Sequence, residues 1–167
     1  MEQTIYYFID KYNKSSLYPT LSQLLSARLS DLPVEIVSDT VPANTVKTLA
    51  EFTTPFYTLL LSGAWTVYVD LYEENAGGNG NGNGNGNGGP PQGQAKLAVE
   101  LLKDGVSFLT TDFVNAPTEL GRLAFPVYLP DVTDRETVTL RLIGKSVGNH
   151  AHTFYVYFHR QYTYMKK

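Results

Sequence analysis

The chain has 167 residues, a formal net charge of −3 and a pI near 5.5, so it lacks the basic face that binding to a phosphate backbone needs, and nucleic acid is not an expected partner. It contains no cysteine, which excludes disulfides, thiolate–metal centres and thiol chemistry. The start, Met1-Glu2-Gln3-Thr4-Ile5-Tyr6, lacks the basic and small-residue features of a secretory leader, and no apolar run approaches a membrane span, so a protein made and kept in solution, with no membrane partner, is the expectation.

The first predicted element is a helix. Thr20-Leu21-Ser22-Gln23 matches a capping box just after Pro19, and Leu21, Leu24, Leu25, Leu29 and Leu32 follow at helical spacing. A short amphipathic helix here is expected to plug one end or face of the domain. After residue 33 the hydrophobic period becomes that of strands. Weak runs lie at 34–37, 46–52 and 56–61. The alternation is plainest from Trp65, where Trp65, Val67, Val69 and Leu71 point one way and Thr66, Tyr68, Asp70 and Tyr72 the other. The first set is assigned to the core.

Residues 76–94 then form an uncharged low-complexity tract in which Asn and Gly alternate from 79 to 88. A single Asn-Gly would set a tight hairpin, but the repeated dipeptide overshoots any two-residue turn and removes the register such a turn would fix. The tract buries too little apolar surface to offset its ordering entropy, so a flexible insertion between strands is expected. Beyond it, Ala95, Leu97, Val99 and Leu101 alternate with Lys96, Ala98 and Glu100, and Lys103-Asp104-Gly105 supplies turn chemistry before a strand over 106–113. Leu123, Phe125, Val127 and Leu129 alternate around Pro126, which cannot donate to a ladder and so marks an edge strand or a bulge. Val138, Leu140 and Leu142, then Phe154, Val156 and Phe158, complete the series. About eight strands with no helix between the later ones indicate one all-β domain over 1–167, an antiparallel β-sandwich or jelly roll, with 76–94 inserted.

Residues with catalytic or metal-binding potential are few. His150 and His152, at i and i+2, would share one face of a strand, but a zinc site needs further ligands, and His159 has matching parity only across a bulge. Loop histidines are the plainer reading, and no metal or other cofactor is expected. Asp70, Glu73 and Glu74, and again Asp131, Asp134 and Glu136, gather carboxylates without the spacing of a glycosidase pair or a calcium loop. No Gly-x-Ser-x-Gly elbow occurs, and no Gly-rich loop ends in Lys-Ser or Lys-Thr to cradle a phosphate. The chain is therefore not expected to be an enzyme.

The run Leu61-Ser62-Gly63-Ala64-Trp65-Thr66-Val67-Tyr68-Val69-Asp70-Leu71-Tyr72, followed by Leu101-Leu102-Lys103-Asp104-Gly105 and by Val138-Thr139-Leu140-Arg141-Leu142, resembles small jelly-roll domains of viral surface proteins over roughly residues 61–158. Cysteine-free, Tyr-rich and carrying a Gly/Asn insertion, the chain as a whole is similar to virion accessory proteins of tailed phages such as decoration proteins, head fibres and tail adaptors. The resemblance implies a structural role in the virion after synthesis in the host cytoplasm, with other virion proteins or further copies of the chain as partners. Carbohydrate-binding sandwiches share the same strand pattern, so a carbohydrate-binding module acting on surface glycans is the alternative.

Five tyrosines, Tyr68, Tyr72, Tyr128, Tyr155 and Tyr157, fall where alternation points away from the core. Tyrosine gives contact area with few rotatable bonds and a hydroxyl suited to a wet boundary, which makes these the candidate interface or ligand-binding residues. They would pack between protomers of a homo-oligomer, stack on sugar rings, or be covered by the chain's own N-terminal helix and termini. The tail Tyr162-Thr163-Tyr164-Met165 extends the same candidate surface.

Overall fold

The computed structural model describes residues 5–9, 20–22, 34–53, 62–76, 93–131, 136–158 and 162–167, the first two segments by their backbone alone. Among them are twelve strands: β1 (Ile5–Ile9), β2 (Thr20–Ser22), β3 (Glu35–Val41), β4 (Val46–Thr53), β5 (Gly63–Asn75), β6 (Gly93–Lys103), β7 (Val106–Thr110), β8 (Val114–Asn115), β9 (Gly121–Leu129), β10 (Val138–Gly148), β11 (His152–Phe158) and β12 (Tyr164–Lys166). Ten of these lie beyond residue 34, two more than the periodicity gives, because short pieces such as β8 and β12 span too few residues to show an alternation.

Every strand pair is antiparallel. One sheet has seven strands in the order β2-β1-β12-β5-β11-β3, with β9 on the opposite side of β5. The other has five, β4-β10-β6-β7, with β8 also on β6. The chain passes repeatedly from one sheet to the other, so the two layers close a single core as a sandwich.

That core follows the alternation. Trp65, Val67, Val69 and Leu71 of β5, and Phe154, Val156 and Phe158 of β11, are buried against Leu97, Val99 and Leu101 of β6 and Leu140 and Leu142 of β10. At Gly144 on β10 a Cβ would lie 3.0 Å from both Leu49 Cδ1 on the neighbouring strand and Phe154 Cε1 of the facing sheet. Pro126 lies in β9, whose one described neighbour is β5, as its missing N–H requires of an edge strand.

The hairpin joining β6 to β7 pairs Lys103 with Val106, leaving Asp104 and Gly105 as a two-residue turn with φ of 48° and 81°. Positive φ at both central positions matches the strands' right-handed twist. No heavy atom lies within 4 Å of a Cβ built at Gly105, so only its backbone preference is at stake there. Gly105→Ala is expected to lower stability by about 1 kcal/mol, read as a fall in the urea midpoint at constant slope.

The predicted helix start is corrected. Thr20–Ser22, read from sequence as cap and first turn, is β2, paired with β1 through Tyr7↔Ser22, Phe8↔Leu21 and Ile9↔Thr20. A capping box is a local signal worth about 1 kcal/mol, and pairing with the edge of β1 satisfies several backbone groups at once. The rest of the predicted helix, the weak run at 56–61 and residues 77–92 of the Asn-Gly tract lie outside the described residues. Ala76 still belongs to the folded layer, donating its amide to Ala151 O at 2.8 Å, and Gly93 already opens β6. Among the described residues no helix is long and apolar enough to cross a membrane.

Candidate functional site: the outward tyrosine face

Strand register builds the site. Residues directly opposite one another share a face, so the pairs Tyr72↔Tyr155, Asp70↔Tyr157, Asp70↔Arg122 and Tyr68↔Tyr164 place these side chains together on the side of the seven-stranded sheet turned from the core. The Tyr72 and Tyr155 rings stack with centroids 4.6 Å apart and 15° between their planes. Tyr157 leans on Tyr72 at 6.2 Å and meets Tyr162 edge-on at 5.3 Å. Tyr68 and Tyr164 pair at 5.0 Å, and the Arg122 guanidinium lies over both, 5.7 and 5.2 Å from their centroids. Each such contact contributes about 1 kcal/mol, so the row holds its own shape.

Asp70 fixes the backbone beneath the rings. Although it points outward it is only 5% exposed, because its carboxylate accepts from Arg122 Nε at 2.9 Å, Arg122 Nη2 at 3.1 Å and the Thr163 amide at 2.8 Å. Thr163, fully buried, accepts from the Asp70 amide through Oγ1 at 3.0 Å and donates that hydroxyl to Tyr157 O at 2.6 Å. This closed set ties down an irregularity. β11 and β12 lie end to end along one side of β5, and Tyr157 and Tyr164 are seven positions apart while their partners Asp70 and Tyr68 are two apart. β12 thus resumes the pairing along β5 out of step with β11, and Thr163, at φ 40°, stands just ahead of it. The bidentate contact with Asp70 holds the Arg122 guanidinium above its ordinary pKa, so it is a fixed cation in the row.

Glu74 marks the other end. It accepts from the Tyr155 hydroxyl at 3.0 Å, and that hydrogen bond, with some loss of hydration, raises the Tyr155 phenol above its ordinary value of 10.0. Loss of hydration first, then nearby Tyr157 and Glu74, push the Tyr72 phenol the same way. In Glu74→Gln the negative charge beside Tyr155 is lost, and the neutral carboxamide oxygen is a weaker acceptor for its hydroxyl. The Tyr155 phenolate, followed by ultraviolet absorbance or ring carbon shifts, is expected to form at a lower pH than in the parent.

Of the five sequence-assigned tyrosines, Tyr68, Tyr72, Tyr155 and Tyr157 come together. Tyr128, 60% exposed, is opposite Ala64 near the far end of β5, on the same face but away from the row. Tyr162 and Tyr164 of the tail do join it. Arg122 and the lock between Asp70 and Thr163 were missed. Arg122 shares the parity of Tyr128 on β9, which is the signal that would have placed it.

The remaining candidates resolve differently. His152 is a core-facing residue of β11, 3% exposed, with Nδ1 2.7 Å from Glu73 Oε2, which corrects its reading as a loop histidine. His150 is half-buried beside it in the turn, and His159 lies outside the described residues. Asp70 and Glu73 point to opposite faces of β5, so they cannot flank one substrate bond. Glu136 pairs with Lys103 at 3.2 Å, and Asp134 lies outside the described residues. Among the described residues no group of three or more His, Asp or Glu is placed to hold a metal ion.

No protein-family model matches the sequence, and no curated protein does. Among solved structures, a CBM4 structure covers 92% of this chain and 89% of its own at 9% identity and a TM-score of 0.40. The C-terminal domain of EclA, a sugar-binding protein, matches at 18% identity and 0.38, over 88% of this chain and 92% of its own. The structure of infectious bursal disease virus, Gx strain, matches at 10% identity and 0.39, over 80% of this chain and 35% of that one. Likenesses at this level leave the question of function to the chain's own surface.

Proposed function

We propose that the chain is a non-enzymatic structural component of a virus particle, and that its outward tyrosine face docks against a neighbouring virion protein or a further copy of the chain. The observation that carries this reading is the row Tyr155, Tyr72, Tyr157 and Tyr162, continued by Tyr164 and Tyr68 under Arg122. Tyr and Arg concentrate at the centres of protein interfaces, and a row already ordered by stacking and by the Asp70 lock loses little side-chain entropy on contact. Ile36 on β3, 45% exposed and opposite Tyr157, extends the row's apolar edge. The attribution to a virion is supported by the sequence resemblance over residues 61–158, which includes β5, β9 and β11.

Light scattering across a tenfold concentration range, with a sedimentation assay on phage particles beside it, tests this. The expected result is self-association or particle binding that the double variant Tyr155→Ala, Tyr157→Ala abolishes while keeping the parent circular dichroism spectrum. A chain that stays monomeric and ignores particles would sink the reading.

A carbohydrate-binding module is the second reading, favoured by the charged groups among the rings: Arg122 and Glu74 are placed to bond sugar hydroxyls beside a stacking surface. Saturable binding of a monomer to immobilised glycans, lost in Tyr155→Ala, would select it.

A further inference from the structure

The tyrosine face repeats itself about one line. Two positions along β5 to one side of Asp70 stands the cross-strand pair Tyr72–Tyr155, and two positions to the other side stands Tyr68–Tyr164, each about 7 Å from it along the strand. Tyr157, opposite Asp70, lies on the line itself.

The charges beyond these pairs are of opposite sign. Four positions from Asp70 in one direction is Glu74, exposed, with Thr153 opposite it. Four positions in the other direction is Thr66, with Lys166 opposite it. Lys166 shares the outward parity of Tyr164, since Met165 between them is in the core. Neither Glu74 nor Lys166 forms an ion pair among the described residues. On the line, Arg122 and Asp70 already neutralise one another.

Such a face is complementary to itself. Two copies facing each other about a two-fold axis in the plane between them form an isologous contact, in which residue i meets j and j meets i. An axis running along β5 brings Glu74 onto its own copy, like charge on like. An axis crossing the strands at Asp70 reverses the strand direction instead. The Tyr72–Tyr155 pair of each copy then falls on the Tyr68–Tyr164 pair of the other, and Lys166 falls beside Glu74 at both ends.

We propose that the occupant of the tyrosine face is a second copy of this chain, docked sheet on sheet about a two-fold axis that crosses the strands at Asp70 and Tyr157, with Lys166 of each copy paired to Glu74 of the other. This rests on the reading of that face as a protein interface and adds its partner and orientation.

The test is sedimentation velocity of the parent, of Lys166→Glu, of Glu74→Lys and of an equimolar mixture of the two variants, with circular dichroism checking each fold. By symmetry each change occurs twice in the dimer and sets like charges at both ends, so each variant alone is expected to dissociate about tenfold more readily than the parent. The mixture is expected to regain the parent's association as a one-to-one heterodimer, identified by a mass tag on one chain. One chain then carries acids at both ends and the other bases at both, so every end contact is again between opposite charges. Self-association unmoved by either reversal, or lost in both and not regained on mixing, overturns the proposal. If Tyr155→Ala, Tyr157→Ala still abolishes that association, the reading of the face as an interface stands without this orientation. A parent that is monomeric at every concentration yet binds phage particles through the same tyrosines overturns the second copy as occupant and leaves that reading intact. A monomer that ignores particles removes both.

Discussion

Replacing Asp70 with alanine is expected to lower stability by about 3 kcal/mol, a large share of what a domain of this size commands. The reason lies in what the carboxylate leaves behind. Arg122 is 40% exposed at its side chain and regains water, so its ion pair counts for little. The Thr163 amide is fully buried and has no such recourse, and with it goes the anchor that holds the residue entering β12 against β5. Asp70→Asn separates charge from shape. It keeps the volume, but a carboxamide can turn its oxygen toward either Arg122 or Thr163 while its NH₂ opposes a donor on the other side, so it is expected to recover only part of the loss. Urea unfolding with an unchanged slope is the measurement. The Tyr68–Tyr164 pair should loosen in both variants, seen as averaged ring resonances, because β12 is registered against β5 by only three residue pairs. An Asp70→Ala protein as stable as the parent would mean that Thr163 and the start of β12 are held by something other than this carboxylate.

How far the sequence could be read depended on whether a feature is periodic or pairwise. Strands β5, β6, β9, β10 and β11 bury one face against the other sheet, so Trp65 to Leu71 or Phe154 to Phe158 declare themselves by parity alone. The same parity placed Tyr68, Tyr72, Tyr155 and Tyr157 outward. It could not show that they adjoin, because that depends on β11 lying beside β5 in a register set across some eighty residues. Asp70 was visible only as one acidic residue among several, since its partners Arg122 and Thr163 are 52 and 93 positions away. The capping box at Thr20 failed for the complementary reason: a locally consistent pattern was overridden by pairing with β1. His152 looked like a loop residue because Gly148 and Asn149 precede it, yet it opens β11 and shares the parity of Phe154 and Val156, the signal that would have placed it in the core.

The second large effect is expected at that histidine. His152→Leu should cost about 3 kcal/mol, because it strips the partner from Glu73, whose side chain is 9% exposed. Changing both residues, Glu73→Leu with His152→Leu, removes the stranded charge along with its partner, and the double variant is expected to be more stable than the His152→Leu protein. The sign of that difference is the point of the experiment. If the loss came from cavity formation or poor packing of the leucine, a second leucine nearby would add to it; if it comes from an uncompensated carboxylate, the second change relieves it. Chemical denaturation of the parent, both single variants and the double variant gives the coupling directly. A double variant that loses much less than the two single losses added together identifies Glu73 and His152 as a mutually dependent buried pair. Additive losses would mean that water satisfies Glu73 as well as His152 does, and that the two residues do not depend on one another.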